Sequence, residues 1–412
     1  MSTTAFLLAQ GDELLTGQTV DTNSGWLAEK LHELGVTVQE VRVVGDDPAA
    51  IAAAIDHACR SAKVVICTGG LGPTSDDHTA AAAAAALNED LVLFEDELAH
   101  IAGLFRRFGR PMSKANEKQA WMPASARALR NDWGTAPGFA LQHHGAVACF
   151  VPGVPREMKA LWKHRIVPLL AERLEAPSRT RLLFRCLGIA ESVLEERMSP
   201  LARPGWTIGF RTRLPENQVK VYVDQDLDLE DARAEVLGVL GTSCFGVDCG
   251  PVEAVIGDLL IARGETVATA ESCTGGQISA ALTSVPGSST YFIEGACLYA
   301  NEAKVRVASV DPSSLAEHGA VSEAVARQLA QGIRARAGTT WGLGTTGIAG
   351  PGGGSKEKPV GTVHLALTGP VHTWHRQIAL WGSRERVTRM ATGAALDLFR
   401  RALQGRLPPP SS

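Results

Sequence analysis

No C-x-x-C pair occurs among the eight cysteines of this 412-residue chain, which excludes a zinc site of the usual spacing. Most of these cysteines sit in apolar runs, as buried free thiols do. There is no basic excess either. Net charge is −4, and no basic tract with interleaved aromatics offers nucleic acid a path. No apolar stretch approaches the ~20 residues of a membrane span. The opening "MSTTAFLLAQGDELLTG" lacks a basic start, and its apolar run is short for a signal peptide. Short-period repeats are missing as well. The expected setting is a reducing, cytoplasmic compartment, with neither membrane nor nucleic acid as partner.

What is present is ordinary for a globular enzyme-sized chain: 45% hydrophobic and 20% charged residues. The length suggests two to four domains at roughly 100–200 residues each. From the N-terminus, "TAFLLAQ", "VTVQEVRVV" and "VVICT" read as strands. "TNSGWLAEKLHEL", "DDPAAIAAAIDHACRSA" and "HTAAAAAAAL" read as helices between and after them. Asp47 is a candidate N-cap, with Pro48 the first helical residue. Such alternation implies a mostly parallel sheet covered on both faces. A linker is expected near "LLAERLEAPSRTR". From about 179 to 250 the order becomes β-α-β-β-α-β, the split βαβ pattern, and a connecting or dimerising role is expected there. From Val252 another α/β segment runs to a helix ending "LFRRAL". In it Ser322 caps a long helix, and "TVHLALTG" and "HTWHRQIAL" form an antiparallel pair.

In the first segment, "TGGLGPTSDD" lies between strand and helix. Gly69, Gly70 and Gly72 let the backbone approach an anion, with Thr74 beside them, and the helix start offers free N–H groups. Asp76 and Asp77 would repel that anion unless a divalent cation sat between, held by one or two carboxylates plus phosphates. Asp46, at another strand end, falls at the same sheet edge. The alternative is that Asp76 and Asp77 only cap the next helix.

In the last segment, "ESCTGG" sets Ser272, Cys273 and Thr274 before Gly275 and Gly276. Cys273 has no histidine in an evident motif to activate it, so a small buried thiol is the expected reading. Strand, Thr-Gly-Gly, helix is the arrangement of an anion cradle, or of an ordinary tight turn. "VPGSSTYF" holds Ser289 at a strand start. Lys304 follows Tyr299 past the strand's other end. If Asn301 caps the next helix, Lys304 lies in its first turn, where the dipole disfavours an ammonium. A lysine so lowered can act as base toward a serine; in isolation it is an ordinary solvated side chain.

"GDELLTGQTVDTN", "VVGDD", "TGGLGPTSDDHT", "GTAPGFAL" and "VPGVPREMK" occur in the order seen in the CinA family (competence/damage-inducible protein A). So do "AESCTGG", "VPGSS", "YANEAK", "GAVSEAVA" and "TTGIAGPGGG" followed by "KPVGTV". The chain resembles that family over nearly its whole length. The resemblance implies an α/β chain of three parts. Residues 1–170 would be a doubly wound, molybdopterin-binding-like domain with metal-dependent ADP-ribose pyrophosphatase activity. Residues 179–250 would be a small α+β split βαβ (KH-like) domain. Residues 252–405 would be an α/β domain deamidating nicotinamide mononucleotide (NMN). By the same resemblance Asp77 and Asp46 would serve a divalent metal, with Asp76 joining them on its place in the loop alone, while the deamidase needs none. Ser289 would be nucleophile, Lys304 its base and Tyr299 their neighbour. Ser272, Thr274, Gly275, Gly276, Thr346, Gly347 and Gly350 would bind the mononucleotide. A homodimer is expected on the same ground. His78 stands where the family commonly carries an aliphatic residue. Two other readings remain: an N-terminal domain that only binds a nucleotide or pterin, and a non-enzymatic partner in DNA uptake or recombination.

Overall fold

The computed structural model describes residues 3–172, 179–224 and 227–408, in two compact units, 1–180 and 181–412. The expected linker falls largely on residues 173–178, and most of the "LPPPSS" tail on 409–412, outside the described residues.

In the first unit, β1 (Thr4–Gln10), β2 (Thr37–Val44), β3 (Val64–Thr68), β6 (Arg127–Leu129), β7 (Gly138–His143) and β8 (Ala146–Val151) form one sheet, in the order β2-β1-β3-β8-β7-β6. The short strands β4 (Leu91–Leu93) and β5 (Trp121–Pro123) pair apart from it. The first four strands of the sheet are parallel; β7 and β6 extend it antiparallel. Successive side chains of a strand point to opposite faces, so each strand feeds two cores. Phe6, Leu8, Val65, Cys67 and Phe150 join one core. Ala5, Leu7, Val64, Ile66 and Val151 join the other. Burial on both faces explains why "VVICT" carries no polar alternation.

The helix Pro48–Ser61 starts where its sequence says it should. Asp47 is extended, and its carboxylate accepts from the Ala50 N–H at 2.8 Å. Removing such a cap costs about 1 kcal/mol. Asp47→Ala is therefore expected to lower the urea midpoint without changing the slope, and an unchanged midpoint would deny the cap any energetic role.

The second unit holds two sheets. The first is formed by β9 (Arg179–Leu187), β10 (Trp206–Arg213), β11 (Glu216–Asp224) and β12 (Cys244–Val247), in the order β10-β11-β9-β12. It closes its own core around Phe184, Met198, Val221 and Val236. The second sheet is formed by β13 (Val267–Glu271), β14 (Phe292–Cys297), β15 (Trp341–Gly347), β16 (Thr362–Thr368) and β17 (Thr373–Ala379), in the order β14-β13-β15-β16-β17. Strands β14, β13 and β15 are parallel; β16 and β17 form the expected antiparallel pair. Gly344 in β15 has a packing reason: a Cβ there would meet the Ala326 carbonyl at 2.6 Å, so the helix Glu323–Ala337 lies close on the strand. Ser322 caps that helix through the Val325 N–H. Among the described residues no helix is long and apolar enough to cross a membrane.

Candidate functional site

The parallel strands β13, β14 and β15 end at one sheet edge, where open α/β sheets bind ligands. The loop after β13 is "SCTGG", and its expected role as a phosphate cradle is corrected by the residue before it. Glu271 is fully buried. Its carboxylate accepts from the N–H groups of Gly276 (3.0 Å), Ile278 (3.0 Å) and Ser279 (2.7 Å), and from the Ser279 hydroxyl (2.6 Å). The donors meant for an anion already hold one that belongs to the chain. The helix they open, Gln277–Thr283, is only seven residues long. Gly275 and Gly276 adopt φ of 61° and 93°, which lets the loop turn back so soon. Thr274 is buried and shares a hydrogen bond with Thr345 at 2.9 Å. Cys273 is buried too, and burial pushes its thiol up to about 12, far from a reactive thiolate.

Lys304 sits at the same edge, 1% exposed. Its ammonium donates to the Tyr299 carbonyl at 2.9 Å. Among the described residues no carboxylate lies within ion-pair reach of it. Burial lowers its pKa below the ordinary 10.5. The expected cause, a helix start capped by Asn301, is corrected in detail. Asn301 is the first helical residue, the N-cap position is Ala300, and no side chain caps the helix. Desolvation is the dominant cause. The Tyr299 side chain is exposed, and its hydroxyl accepts from Arg384 at 2.6 Å. Arg384 also donates to the Gly350 carbonyl at 2.8 Å, tying Tyr299 to the glycine loop after β15. Thr346 is buried against the Ala320 carbonyl at 2.7 Å, and Gly347 ends β15. Sequence reasoning missed Arg384. Its signal was a basic residue just after a serine cap, Ser383, at the start of the final helix.

Ser289 lies elsewhere. It is exposed, in the turn Ser288–Thr290 that leads into β14. The neighbouring Tyr291 hydroxyl and Ser288 hydroxyl donate to Leu282 and Thr283 carbonyls, at the far end of the short helix. Ser289 therefore stands at the amino end of β14, whereas Tyr299 and Lys304 follow its carboxyl end. Ser272, by contrast, shares the edge with Lys304.

In the first unit a cleft of about 370 Å³ gathers Gly69, Gly70, Gly72, Asp46, Asp76 and Asp77. Gly69 must be glycine: its φ is 102°, and a Cβ would meet the Gln10 carbonyl at 2.5 Å. Asp77 accepts from the Thr74 N–H at 2.8 Å and from the Thr74 hydroxyl, so it closes its own turn. Asp46 and Asp12 exchange hydrogen bonds between side chain and backbone, at 3.1 and 3.2 Å. Asp76 is exposed, and the Thr74 hydroxyl and its own backbone hold its carboxyl below the usual range. The three carboxylates share the cleft without closing on one point. Among the described residues the single cluster with metal-ligand spacing is Asp56, His143 and His144, and Arg60 already occupies Asp56 at 2.9 Å. Two cleft residues were not foreseen. The Gln10 amide nitrogen is buried with no acceptor, and burial raises the Glu157 carboxyl, although Asn131 donates to it at 2.6 Å.

Comparison with known proteins is consistent along the chain. Residues 250–403 match the model of the CinA C-terminal domain, and residues 6–172 that of a probable molybdopterin binding domain. A CinA-like protein from Anaeromyxobacter dehalogenans is 44% identical over 407 residues, covering 97% of this chain and 99% of the relative. One from Geobacter metallireducens is 42% identical over 406 residues, covering 96% and 98%. Among solved structures, CinA of unknown function from Thermoplasma acidophilum matches with 35% identity and a TM-score of 0.39. That match covers 41% of this chain and 98% of the other.

Proposed function

The chain belongs to the CinA family, and from that premise we propose that its C-terminal part hydrolyses the carboxamide of NMN to nicotinate mononucleotide and ammonia. The observation that carries this reading is Lys304. A buried amine without a carboxylate partner is costly to a fold, and it stands at a ligand-binding edge beside Tyr299, Arg384 and a glycine loop. Such a lysine suits a general base. The Ser289 oxygen attacks the carboxamide carbon as its proton passes to Lys304, and backbone N–H groups hold the oxyanion. The C–N bond then breaks, with the proton on Lys304 going to the departing ammonia. Water attacks the resulting ester and restores Ser289. With the helix start taken by Glu271, Arg384 is the cation we assign to the substrate phosphate; a guanidinium fork suits it. The test is ammonia release from NMN by the purified full chain, and a folded sample that releases none would falsify the reading.

For the first unit we propose a nucleotide site. Its carboxylates are hard oxygen donors, which fit Mg²⁺ together with substrate phosphates. Asp76, Asp77 and Asp46 would hold that ion, which would neutralise charge on a pyrophosphate. Cleavage of ADP-ribose is the activity this implies. The internal bonds of Asp77 and Asp46 favour a second reading, in which the cleft binds a nucleotide or pterin without cleaving it. Incubation of ADP-ribose with and without Mg²⁺, followed by AMP release, separates the two.

A further inference from the structure

Strand β14 is a sheet edge, with no strand on its outer side among the described residues. The turn with Ser289 precedes it, and Tyr299 and Lys304 follow it. At ~3.3 Å per residue the strand separates the two groups by about 20 Å. One chain therefore cannot bring the Ser289 hydroxyl to its own Lys304 amine. We propose that the deamidating site is assembled from two copies of this chain, each lending Ser289 to the Lys304 of the other, by antiparallel pairing of their β14 edges about a two-fold axis. The inference rests on the Ser289–Lys304 reading above.

Antiparallel pairing sets the start of one strand beside the end of its partner, and one isologous contact makes both sites at once. A two-fold through Gly295 places Ile293 opposite the partner's Cys297, side chains of one sheet face meeting. Four residues further out, the same register places Ser289 opposite the partner's Asn301, the first residue of the helix that carries the partner's Lys304. The edge itself is suited to being covered. Its one charge, Glu294, is bound to Arg336 at 2.7 Å. Ile293 is 52% exposed, and Gly295 and Cys297 are exposed as well. Edges left open are usually blunted by charge or proline. The opposite edge, β17, follows that rule with Arg376. The exposure of Ser289 and Tyr299 is what groups awaiting a partner would show.

The test uses full-length Ser289→Ala and Lys304→Ala chains with different affinity tags, co-expressed and purified through both tags. Each parent alone should release no ammonia from NMN above background. The mixed dimer retains one intact site, built from the serine of one chain and the lysine of the other. It should run at about half the wild-type rate per dimer. A mixed dimer as silent as its parents overturns the inference, while the silence of each parent still shows that Ser289 and Lys304 are both needed. An active chain that light scattering shows to be monomeric at the assay concentration also overturns it. A Ser289→Ala dimer working at the wild-type rate removes the underlying reading, and this inference with it.

Discussion

Lys304→Met is expected to lower kcat for ammonia release by about 10²–10⁴-fold, the usual worth of a positioned proton-transfer group. It should leave the fold as stable or more stable. The two effects have one cause. Burial disfavours the charged amine, so its native pKa lies below the ordinary 10.5. For a group so lowered the sign runs against the native state at low pH. Below the native pKa the buried ammonium costs stability in full, and that cost fades as pH rises toward 10.5. Methionine removes it, at the loss of one hydrogen bond to the Tyr299 carbonyl. A purely structural lysine would show the reverse, with thermal stability falling and activity following it. For the wild type, kcat/KM should rise with pH through an inflection below 10.5, as the free base forms. Lys304→Arg, which keeps its charge at every working pH, should lose activity and show no such limb. A flat profile in the wild type would remove Lys304 from the base role.

Local rules reached far in this chain. The caps at Asp47 and Ser322 were legible because a short acceptor just before an apolar-periodic run has one obvious use. The β16–β17 pair was legible from two strand-like runs, one apolar and one largely polar, with a short turn between. Cys273 was rightly read as a small buried thiol, since no histidine in an evident motif accompanied it. What escaped was the destination of side chains across the fold. "TGG" before a helix looks the same whether the N–H groups there face a substrate or a carboxylate five to eight residues upstream. A clue was present: Glu271 ends a strand that is otherwise apolar or threonine, and a buried acid must find donors. The separation of Ser289 from Lys304 was legible too. One precedes a six-residue strand and the other follows it, but motif order along a chain hides which end of the strand each residue occupies. Arg384 lies 80 residues beyond Lys304, and only the fold returns it to Tyr299.

Glu271→Ala is expected to destabilise the second unit by about 3–5 kcal/mol, seen as a lower urea midpoint with the slope retained. The carboxylate serves three backbone donors and a hydroxyl, and each buried donor left without an acceptor costs roughly 1–3 kcal/mol. The helix behind it, seven residues long, cannot hold its first turn by propensity alone. Glu271→Gln should fall between, because its amide keeps one acceptor oxygen and turns two N–H groups toward donors. The same variant decides what the loop is for. If "SCTGG" held the substrate phosphate directly, Glu271→Ala would free three donors and tighten binding of NMN or inorganic phosphate. If Glu271 is the resident anion, the freed turn loses its shape, and KM for NMN rises through the displaced edge that Lys304, Tyr299 and Arg384 share. Tighter phosphate binding with an unchanged urea midpoint would return the cradle to the substrate; weaker NMN binding in a less stable fold keeps it with the chain.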